Sequence, residues 1–455
     1  MRRFEAKRVL VAIILAAIAA RLACALYMGD QVEALPGVAD QISYHTLSVR
    51  VLQGHGFSFG QGWWPATPAG QPTAHWSYLY VLFLAGVYSV FGPHPLAARI
   101  VQAVVVGLLQ PLLTWRIATR LFGARVGLVS AALAAIYSYF VYYGGALMTE
   151  SFYIVAMLWV VDIVTMLSDS SARGKSPLGL GNWLWLGAAL GCASLLRQIT
   201  LLLAPAVILW AAYRVASERK KMATSQESRA IPVLARATGA AVVLAVCIVP
   251  WTARNYAAFG QLVILNTNAG FAFYWGNHPI HGSSFKPLLP ASGPGYGSLI
   301  PEELRGLNEA AMDRALLARG LGFVREDPVR YTMLSLGRVV EYFKFWPTAA
   351  SGAMSNSMRL LSFGVCLPFI LSGVLLAALR PAVADGRSSR PEAALLVGLV
   401  AAYSAFYLLT WTLIRYRLPA DALLMPFAAL SMVRTCGYLA NATRGFTLLT
   451  RRLAA

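Results

Sequence analysis

Residues Val9–Met28 read VLVAIILAAIAARLACALYM. This apolar run is long enough to cross a membrane, because a transmembrane helix needs about 20 mostly apolar residues. Of the 455 residues in the chain, 58% are hydrophobic and 13% are charged, whereas a soluble domain has about a quarter charged residues. The sequence therefore predicts an all-α polytopic membrane protein.

Further apolar runs predict a total of about ten transmembrane helices. Trp76–Phe91 is apolar but short and aromatic, and we interpret it as a helix at the outer interface, where Trp and Tyr are favoured. We interpret Val9–Met28 as an uncleaved first span rather than a signal peptide. The other predicted spans are Ile100–Ile117, Val126–Tyr143, Ser151–Leu167, Trp183–Leu196, Ile199–Tyr213, Ile231–Pro250, Leu360–Leu379, Ala393–Trp411 and Asp421–Val433, extended to Ala440.

The net charge of +19 comes from cationic clusters that lie in every second loop. This is the positive-inside pattern, and it predicts a multi-pass protein of the cytoplasmic membrane with both termini cytoplasmic. The pattern explains the excess of basic residues by membrane topology and by contact with anionic membrane lipids. It therefore argues against a nucleic-acid partner. The clusters contain Arg2, Arg3, Lys7, Arg8, then Arg116, Arg120, Arg125, then Arg173, Lys175, then Arg214, Arg219, Lys220, Lys221, then Arg380, Arg387, Arg390, and finally Arg434, Arg444, Arg451, Arg452.

Almost all other polar length falls in residues 28–75 and 251–356, which the charge pattern places together on the outer side. We therefore predict three parts. Residues 1–250 form a transmembrane module with seven spans and a first outer loop (29–98). Residues 251–356 form a large, partly helical outer region, and 357–455 form a second transmembrane module with a cytoplasmic tail.

Asp40 is the acid that we select as catalytic. It follows the first span at the start of a predicted amphipathic helix, where its carboxylate could accept a proton from an acceptor hydroxyl. The structural alternative is a helix N-cap, a position for which Asp is among the preferred residues. Asp30 and Glu33 are rival acids, and the pattern does not separate the three.

Three arginines of the outer side are candidate phosphate ligands. Arg254 directly follows the span that ends at Pro250, and a guanidinium can hold a phosphate through two parallel hydrogen bonds. The alternative for Arg254 is an interfacial side chain that reaches lipid headgroups. Arg415 and Arg417 share a short outer turn that the positive-inside rule disfavours, which indicates that they bind an anion.

Other ionisable residues near the spans also allow a structural interpretation. Glu150 opens the fourth span from the outside, which also suits an acid at a helix start. Arg21 lies within the first span and needs a partner there, for which Glu150 or Asp40 would serve. We expect Asp162 to make a structural hydrogen bond.

No metal site is predicted. His75, His278 and His281 are scattered, and the five cysteines lie in or beside apolar runs without paired spacing, which argues against a disulfide framework or a metal cluster. We therefore expect no cofactor.

Several motifs, in this order, resemble the GT-C superfamily of membrane glycosyltransferases, in the branch that includes protein O-mannosyltransferases, the lipid A aminoarabinose transferase and rhizobial lipopolysaccharide sugar transferases. The motifs are Asp40 with Tyr44 and Gly54-His55-Gly56-Phe57, then Arg99, Leu121-Phe122-Gly123, Thr149-Glu150, Leu196-Arg197, Pro250-Trp251-Thr252-Ala253-Arg254-Asn255-Tyr256, Gly270, Tyr274-Trp275-Gly276-Asn277 and Arg415-Tyr416-Arg417-Leu418-Pro419.

The resemblance implies inverting transfer of a sugar from a polyprenyl-phosphate donor to a glycan, lipid or protein acceptor on the outer face, with Asp40 as the acid-base residue. It places His75 near the carrier phosphate and adds Tyr44 and Asn255 to the substrate-binding residues Glu150, Arg254, Arg415 and Arg417. The alternative function is a transporter or flippase of a lipid-linked glycan, which would need charged, water-lined residues through the bundle.

The topology can be tested with reporter fusions. Fusions after Ser170, Lys221 and Arg387 should report the cytoplasm, and fusions within Gly60–Gly70 or near Ser292 should report the outer side, because the cationic clusters stay inside. Compartment-specific alkaline phosphatase and fluorescent-protein reporters give the readout. An outer location for Lys221 would contradict the charge-based topology.

Overall fold

A computed structural model gives the architecture of the protein. Part of the chain, including the predicted cytoplasmic cations Arg2, Arg173 and Lys175 and the fusion site Ser292, lies outside the described residues. The structure describes residues 3–33, 40–172, 179–222, 230–287, 289, 295–349, 351–380, 383–384 and 387–453.

The described residues form 17 α-helices, which confirms the predicted all-α fold class. They are α1 (Arg3–Met28), α2 (Asp40–Leu52), α3 (Tyr78–Phe91), α4 (Pro95–Phe122), α5 (Ala124–Ile136), α6 (Ser138–Gly145), α7 (Glu150–Ala172), α8 (Leu180–Leu196), α9 (Thr200–Met222), α10 (Ala230–Phe259), α11 (Ala269–Asn277), α12 (Glu309–Glu326), α13 (Pro328–Tyr342), α14 (Ala353–Arg359), α15 (Val365–Leu379), α16 (Arg390–Leu409) and α17 (Leu418–Leu453).

Short elements lie between some of these helices. The strands β1 (Val383–Ala384) and β2 (Arg387–Ser388) pair antiparallel between α15 and α16. A π-helical turn, Leu360–Gly364, joins α14 to α15. Single 3-10 turns lie at Pro279–His281, Tyr296–Leu299, Glu302–Leu304 and Ile414–Arg417.

The helices account for the predicted spans. Among the described residues, 7 helices are long and apolar enough to cross a membrane, and the bent pair α5 and α6 raises the number to 8. Helix α8 is shorter, with 17 residues, and α17 contains the last predicted span. Each predicted span thus coincides with a helix or a helix pair. The division of the chain at residues 250 and 356 stays a prediction.

The third predicted span, Val126–Tyr143, is not one straight helix. It breaks at Tyr137 into α5 and α6, which are inclined by 52°. The Tyr137 hydroxyl donates a hydrogen bond of 2.6 Å to Asp421 of α17, and Arg417 donates to the same carboxylate at 3.1 Å. The break thus coincides with a buried polar contact, which apolar periodicity cannot predict.

Buried charges inside the bundle have structural partners. Asp162 of α7 pairs with Arg116 and Arg120 of α4 at 3.0 and 2.7 Å, which agrees with the structural role expected for it. Arg21 does not reach the acids proposed as its partners. It donates instead to the Gln110 amide oxygen at 3.0 Å and to backbone carbonyls of α5, because α1 packs against α4 and α5.

The first outer loop folds onto the bundle, where α3 packs against α4 and α8. Helix α2 begins at Asp40, as predicted for the amphipathic helix, and ends at Leu52. Tyr44 of α2 packs edge-on against Tyr80 of α3 and Trp76, with centroid distances of 5.0 and 5.3 Å. Helix α3 begins at Tyr78, two residues after the start predicted for the interfacial helix, and ends at Phe91 as predicted. Its position relative to a membrane stays a prediction.

The contact between α15 and α17 allows a test of the bundle. A methyl group on Gly373 of α15 would lie 1.9 Å from the Phe427 carbonyl oxygen, whereas a methyl on Gly398 of α16 would meet no atom within 4 Å. Overpacking costs about 1–3 kcal/mol, while replacing an unconstrained helical Gly by Ala gains up to about 1 kcal/mol. Gly373→Ala should therefore lower the thermal midpoint in detergent, measured by loss of the monodisperse peak. A midpoint for Gly373→Ala equal to that of the control Gly398→Ala would contradict the packing.

Candidate active site

Four connections between predicted spans meet at one end of the helical bundle. They are the loop after α1, the turn between α6 and α7, the turn between α8 and α9, and the turn between α16 and α17. Each follows an odd-numbered predicted span, so alternation places all four on the same side of the membrane. This is the side that the charge pattern assigns to the outside.

A cluster of ion pairs forms where these four connections meet. Arg197 Nη2 lies 2.6 Å from Glu150 Oε1, and Arg415 Nη1 lies 3.4 Å from the same oxygen. Arg415 Nη1 also donates to Asp40 Oδ2. The Glu150 side chain is 1% exposed and that of Asp40 is 20% exposed. Two acids and two arginines thus share a buried cluster in which the opposite charges balance.

Tyr416 lies between the two guanidinium groups. Its ring centroid is 5.3 Å from Arg197 Cζ and 5.1 Å from Arg415 Cζ, close enough for cation–π attraction. Burial by itself lowers the pKa of Arg415, but Asp40, Tyr416, Glu150 and Tyr143 together raise it more, so that pKa lies well above its usual range. Arg415 is therefore a permanent cation.

The cluster lines a cavity of about 920 Å³, within the size range of ligand-binding pockets. The cavity has a charged part formed by the cluster and an aromatic and amide part, which comes mainly from the two outer regions. The lining residues of this second part include Trp63, Trp64, His75, Trp76, Gln198, Asn266, Asn268, Trp275, Tyr296 and Trp411.

His75 contributes to the aromatic part of the cavity. Its ring meets those of Trp64 and Phe271 at centroid distances of 5.4 and 5.7 Å. Burial lowers the pKa of His75, while Glu309 acts in the opposite direction. Glu309 of α12 accepts hydrogen bonds from Thr67, from the Ala74 amide at 2.8 Å and from Thr267. It therefore anchors the loop that carries His75.

Arg254 and Asn255 do not lie at this cavity. Arg254 donates to the carbonyl oxygens of Thr73 at 2.9 Å and Phe57 at 3.2 Å. Asn255 is fully buried, accepts from the Tyr78 hydroxyl at 2.6 Å and donates to Leu265. Both side chains bind the first outer loop to the end of α10, and their predicted role in substrate binding stays a prediction.

Arg417 is also separated from the cavity. It is 1% exposed, pairs with Asp421 and donates to the Tyr342 carbonyl oxygen at 2.5 Å. The two arginines of the outer turn therefore point in different directions. Of the two, Arg415 contacts Asp40 and Arg417 contacts Asp421.

The rival acids are placed elsewhere as well. Asp30 accepts from His94 at 3.0 Å and from the Leu96 amide at 2.8 Å. Glu33 lies outside the cavity lining, and its carbonyl oxygen accepts from Gln41. Of the three candidates, Asp40 is the acid that lines the cavity, together with Tyr44, His75, Glu150 and Arg415 from the predicted set.

Sequence reasoning missed Arg197 as a member of the site. The signal was present, because Arg197 lies between two spans on the outer side, where the positive-inside rule disfavours a cation. In the described part of the chain, His, Cys, Asp and Glu side chains do not form a group of three or more that could hold a metal. The expectation that no metal is needed stays a prediction.

Comparison with known proteins supports the fold. The family model described as dolichyl-phosphate-mannose-protein mannosyltransferase matches residues 76–251, less than half of the chain. The oligosaccharyltransferase of Archaeoglobus fulgidus in its apo form is 16% identical, with a TM-score of 0.59 over 98% of this chain and 52% of that chain. Its complex with an inhibitory peptide and a dolichol-phosphate gives a TM-score of 0.53 at 16% identity, with 97% and 52% coverage.

A weaker likeness exists to ArnT of Cupriavidus metallidurans bound to undecaprenyl phosphate, with a TM-score of 0.40, 15% identity and coverage of 92% of this chain and 76% of that one. No curated protein sequence matches the chain. The chain spans about half the length of the archaeal enzymes, so the likeness concerns fold. The predicted all-α, multi-pass fold is confirmed at that level, because the chain shares the fold of the archaeal oligosaccharyltransferase.

Proposed function

We propose that this protein transfers a sugar from a polyprenyl-phosphate-linked donor to an acceptor hydroxyl, on the outer face of the cytoplasmic membrane. The observation that carries the proposal is the contact between Asp40 and Arg415 in the wall of a cavity of about 920 Å³. A base and an arginine side by side at the ends of membrane helices suit a reaction at a lipid-linked phosphate. The matched family model and the oligosaccharyltransferase fold support this reaction class.

Arg415 has unused capacity to bind the donor phosphate. Its buried Nε finds no hydrogen-bond partner among the described residues, although a buried donor normally has one. Phosphate oxygens would accept from Nε and a terminal nitrogen in the bidentate geometry that guanidinium groups favour. Arg197, 2.6 Å from Glu150, adds a second positive charge near the same place.

Asp40 acts as the general base in the proposed reaction. The acceptor oxygen attacks the anomeric carbon, its proton passes to the Asp40 carboxylate, and the bond from the anomeric carbon to the phosphate oxygen breaks. The bonding pair leaves with the phosphate, which Arg415 and Arg197 stabilise. A single displacement of this kind inverts the anomeric centre, and a phosphate leaving group does not require a metal.

The contact between Asp40 and Arg415 gives the base a link to donor binding. While Arg415 donates to Asp40, that carboxylate oxygen is occupied. A phosphate bound at Nε shares the positive charge of the guanidinium and repels the nearby carboxylate, which weakens the bond from Nη1 to Asp40 and releases the carboxylate for the acceptor. In the aromatic wall, Trp64 stacks on Trp275 at a centroid distance of 5.2 Å and stays 43% exposed, so Trp64 offers apolar surface to a sugar ring.

Asp40→Asn tests the base. The variant keeps the size of the side chain but cannot accept a proton, and general-base catalysis contributes about a hundred- to ten-thousand-fold. Sugar transfer should therefore fall at least about a hundredfold, measured with a radiolabelled polyprenyl-phosphate sugar, while donor binding persists. Asp30→Asn, outside the cavity, is the matched control and should transfer normally. Near-normal transfer by Asp40→Asn would show that Asp40 is not the base. If the protein binds the donor and moves it across the bilayer without cleaving it, the alternative function as a flippase is favoured.

Arg415 and Arg254 give opposite predictions for donor binding. A hydrogen bond to a charged group contributes about 1.5–3 kcal/mol, so Arg415→Ala should weaken the affinity for polyprenyl phosphate by about tenfold to a hundredfold. Arg415→Lys should be intermediate, because it keeps the charge and loses the fork. Arg254→Ala should lower the thermal midpoint and leave the affinity unchanged.

Scintillation proximity binding with tritiated polyprenyl phosphate measures the affinities. A loss of affinity in Arg254→Ala together with unchanged affinity in both Arg415 variants would return the phosphate site to Arg254.

A further inference from the structure

Helix α13 in the second outer region carries an apolar stripe on its exposed side. Val329, Met333, Leu336 and Val340 are 73%, 49%, 57% and 51% exposed, and Phe343 just past the helix end is 40% exposed. They follow one another at intervals of three and four residues, so they lie on one face of the helix. Such a contiguous apolar surface is unusual on a part of a protein that faces only water.

The opposite face of α13 binds the outer end of a spanning helix. Leu334, Arg338 and Tyr342 are fully buried. The Tyr331 hydroxyl donates to the carbonyl oxygen of Leu409, the last residue of α16, at 3.0 Å, and Tyr342 shares a hydrogen bond of 2.9 Å with Ser404 of α16. Helix α13 therefore lies at the level where α16, a candidate span, ends.

The chain after α13 leads directly into a candidate span. Only residues 343–352 separate α13 from Ala353–Leu379, which is long and apolar enough to cross a membrane. Trp346 in this connection is 39% exposed, and Met354 and Leu361 continue the exposed apolar surface into the span. Aromatic residues of this kind are favoured at the interface between lipid and water.

Helix α13 also contacts both parts of the cavity wall. Arg338 donates to Asn277 Oδ1 at 2.7 Å and to the Gly276 carbonyl oxygen at the end of α11, and α11 carries the lining residue Trp275. The Tyr342 carbonyl oxygen accepts from Arg417, two residues from Arg415. A change in the position of α13 would therefore reach the aromatic wall and the charged cluster.

We propose that α13 is a membrane-docking helix, whose apolar stripe inserts at the boundary of acyl chains and headgroups in the outer leaflet. A helix with one apolar face and little overall hydrophobicity lies in the interface with that face in the lipid. The lipid thereby holds α13 against α11 and α16 and keeps the cavity wall in place. This inference does not depend on the proposed sugar transfer.

Hydroxyl-radical footprinting in nanodiscs tests the docking at the native residue Met333. The full chain is placed, one copy per disc, in phosphatidylethanolamine and phosphatidylglycerol, and oxidation of Met333 is measured by mass spectrometry. Ala318→Met supplies the matched control, because residue 318 is on the exposed face of α12. Met333 should oxidise at least about fivefold more slowly than the methionine at position 318, because an interfacial helix buries its apolar face about 5–10 Å deep.

A second variant tests the link to the cavity. Leu336→Glu places a charge in the stripe, so oxidation of Met333 and of the buried Trp275 should both rise, whereas Leu336→Phe keeps an apolar side chain and should change neither. Equal oxidation of Met333 and the control methionine would overturn the docking. Protection of Met333 that requires two chains per disc would assign the stripe to a second copy and overturn it as well.

Discussion

The ion-pair cluster of Asp40, Arg415, Glu150 and Arg197 is the interaction on which the rest of the site depends. Its members come from four separate connections of the chain, and a buried charge without a partner is costly. Removing one partner from a buried pair typically costs about 3–5 kcal/mol. The cluster therefore fixes where the four connections lie relative to one another, and the cavity forms between the segments that it joins.

The same ion pairs place the charges that the proposed reaction needs, and they also occupy the carboxylate that would act as its base. Charges that are already in place do not need to reorganise when a phosphate leaves. Yet Arg415 binds the very carboxylate that the proposed mechanism uses as a base. Competition between a phosphate and Asp40 for one guanidinium would make the base available mainly when the donor is present, and it would limit the loss of donor to water.

The sequence predicted the helices well because their signals are local. Length and apolarity identify the spans, and Asp327-Pro328 marks the start of α13, where the Asp327 carboxylate accepts from the Arg330 amide at 2.8 Å. The site was only partly predictable. Arg254 has the sequence context of a phosphate ligand, but its partners are carbonyl groups of the first outer loop. In the sequence, Arg254 is separated from these two partners by 181 and 197 positions, and no pattern near Arg254 indicates the contacts. Arg197 did carry a local signal, an outer position that the positive-inside rule disfavours, but its partner Glu150 lies in another turn and could not be identified from the sequence around Arg197.

The most direct test of the account is a cryo-electron-microscopy structure of the full chain in nanodiscs with bound polyprenyl phosphate. We expect phosphate density within hydrogen-bond distance of the Arg415 guanidinium, with Asp40 no longer bonded to Arg415 and facing the cavity, and Arg254 still bound to Thr73 and Phe57. Phosphate density on Arg254, with the contact between Asp40 and Arg415 intact, would contradict it.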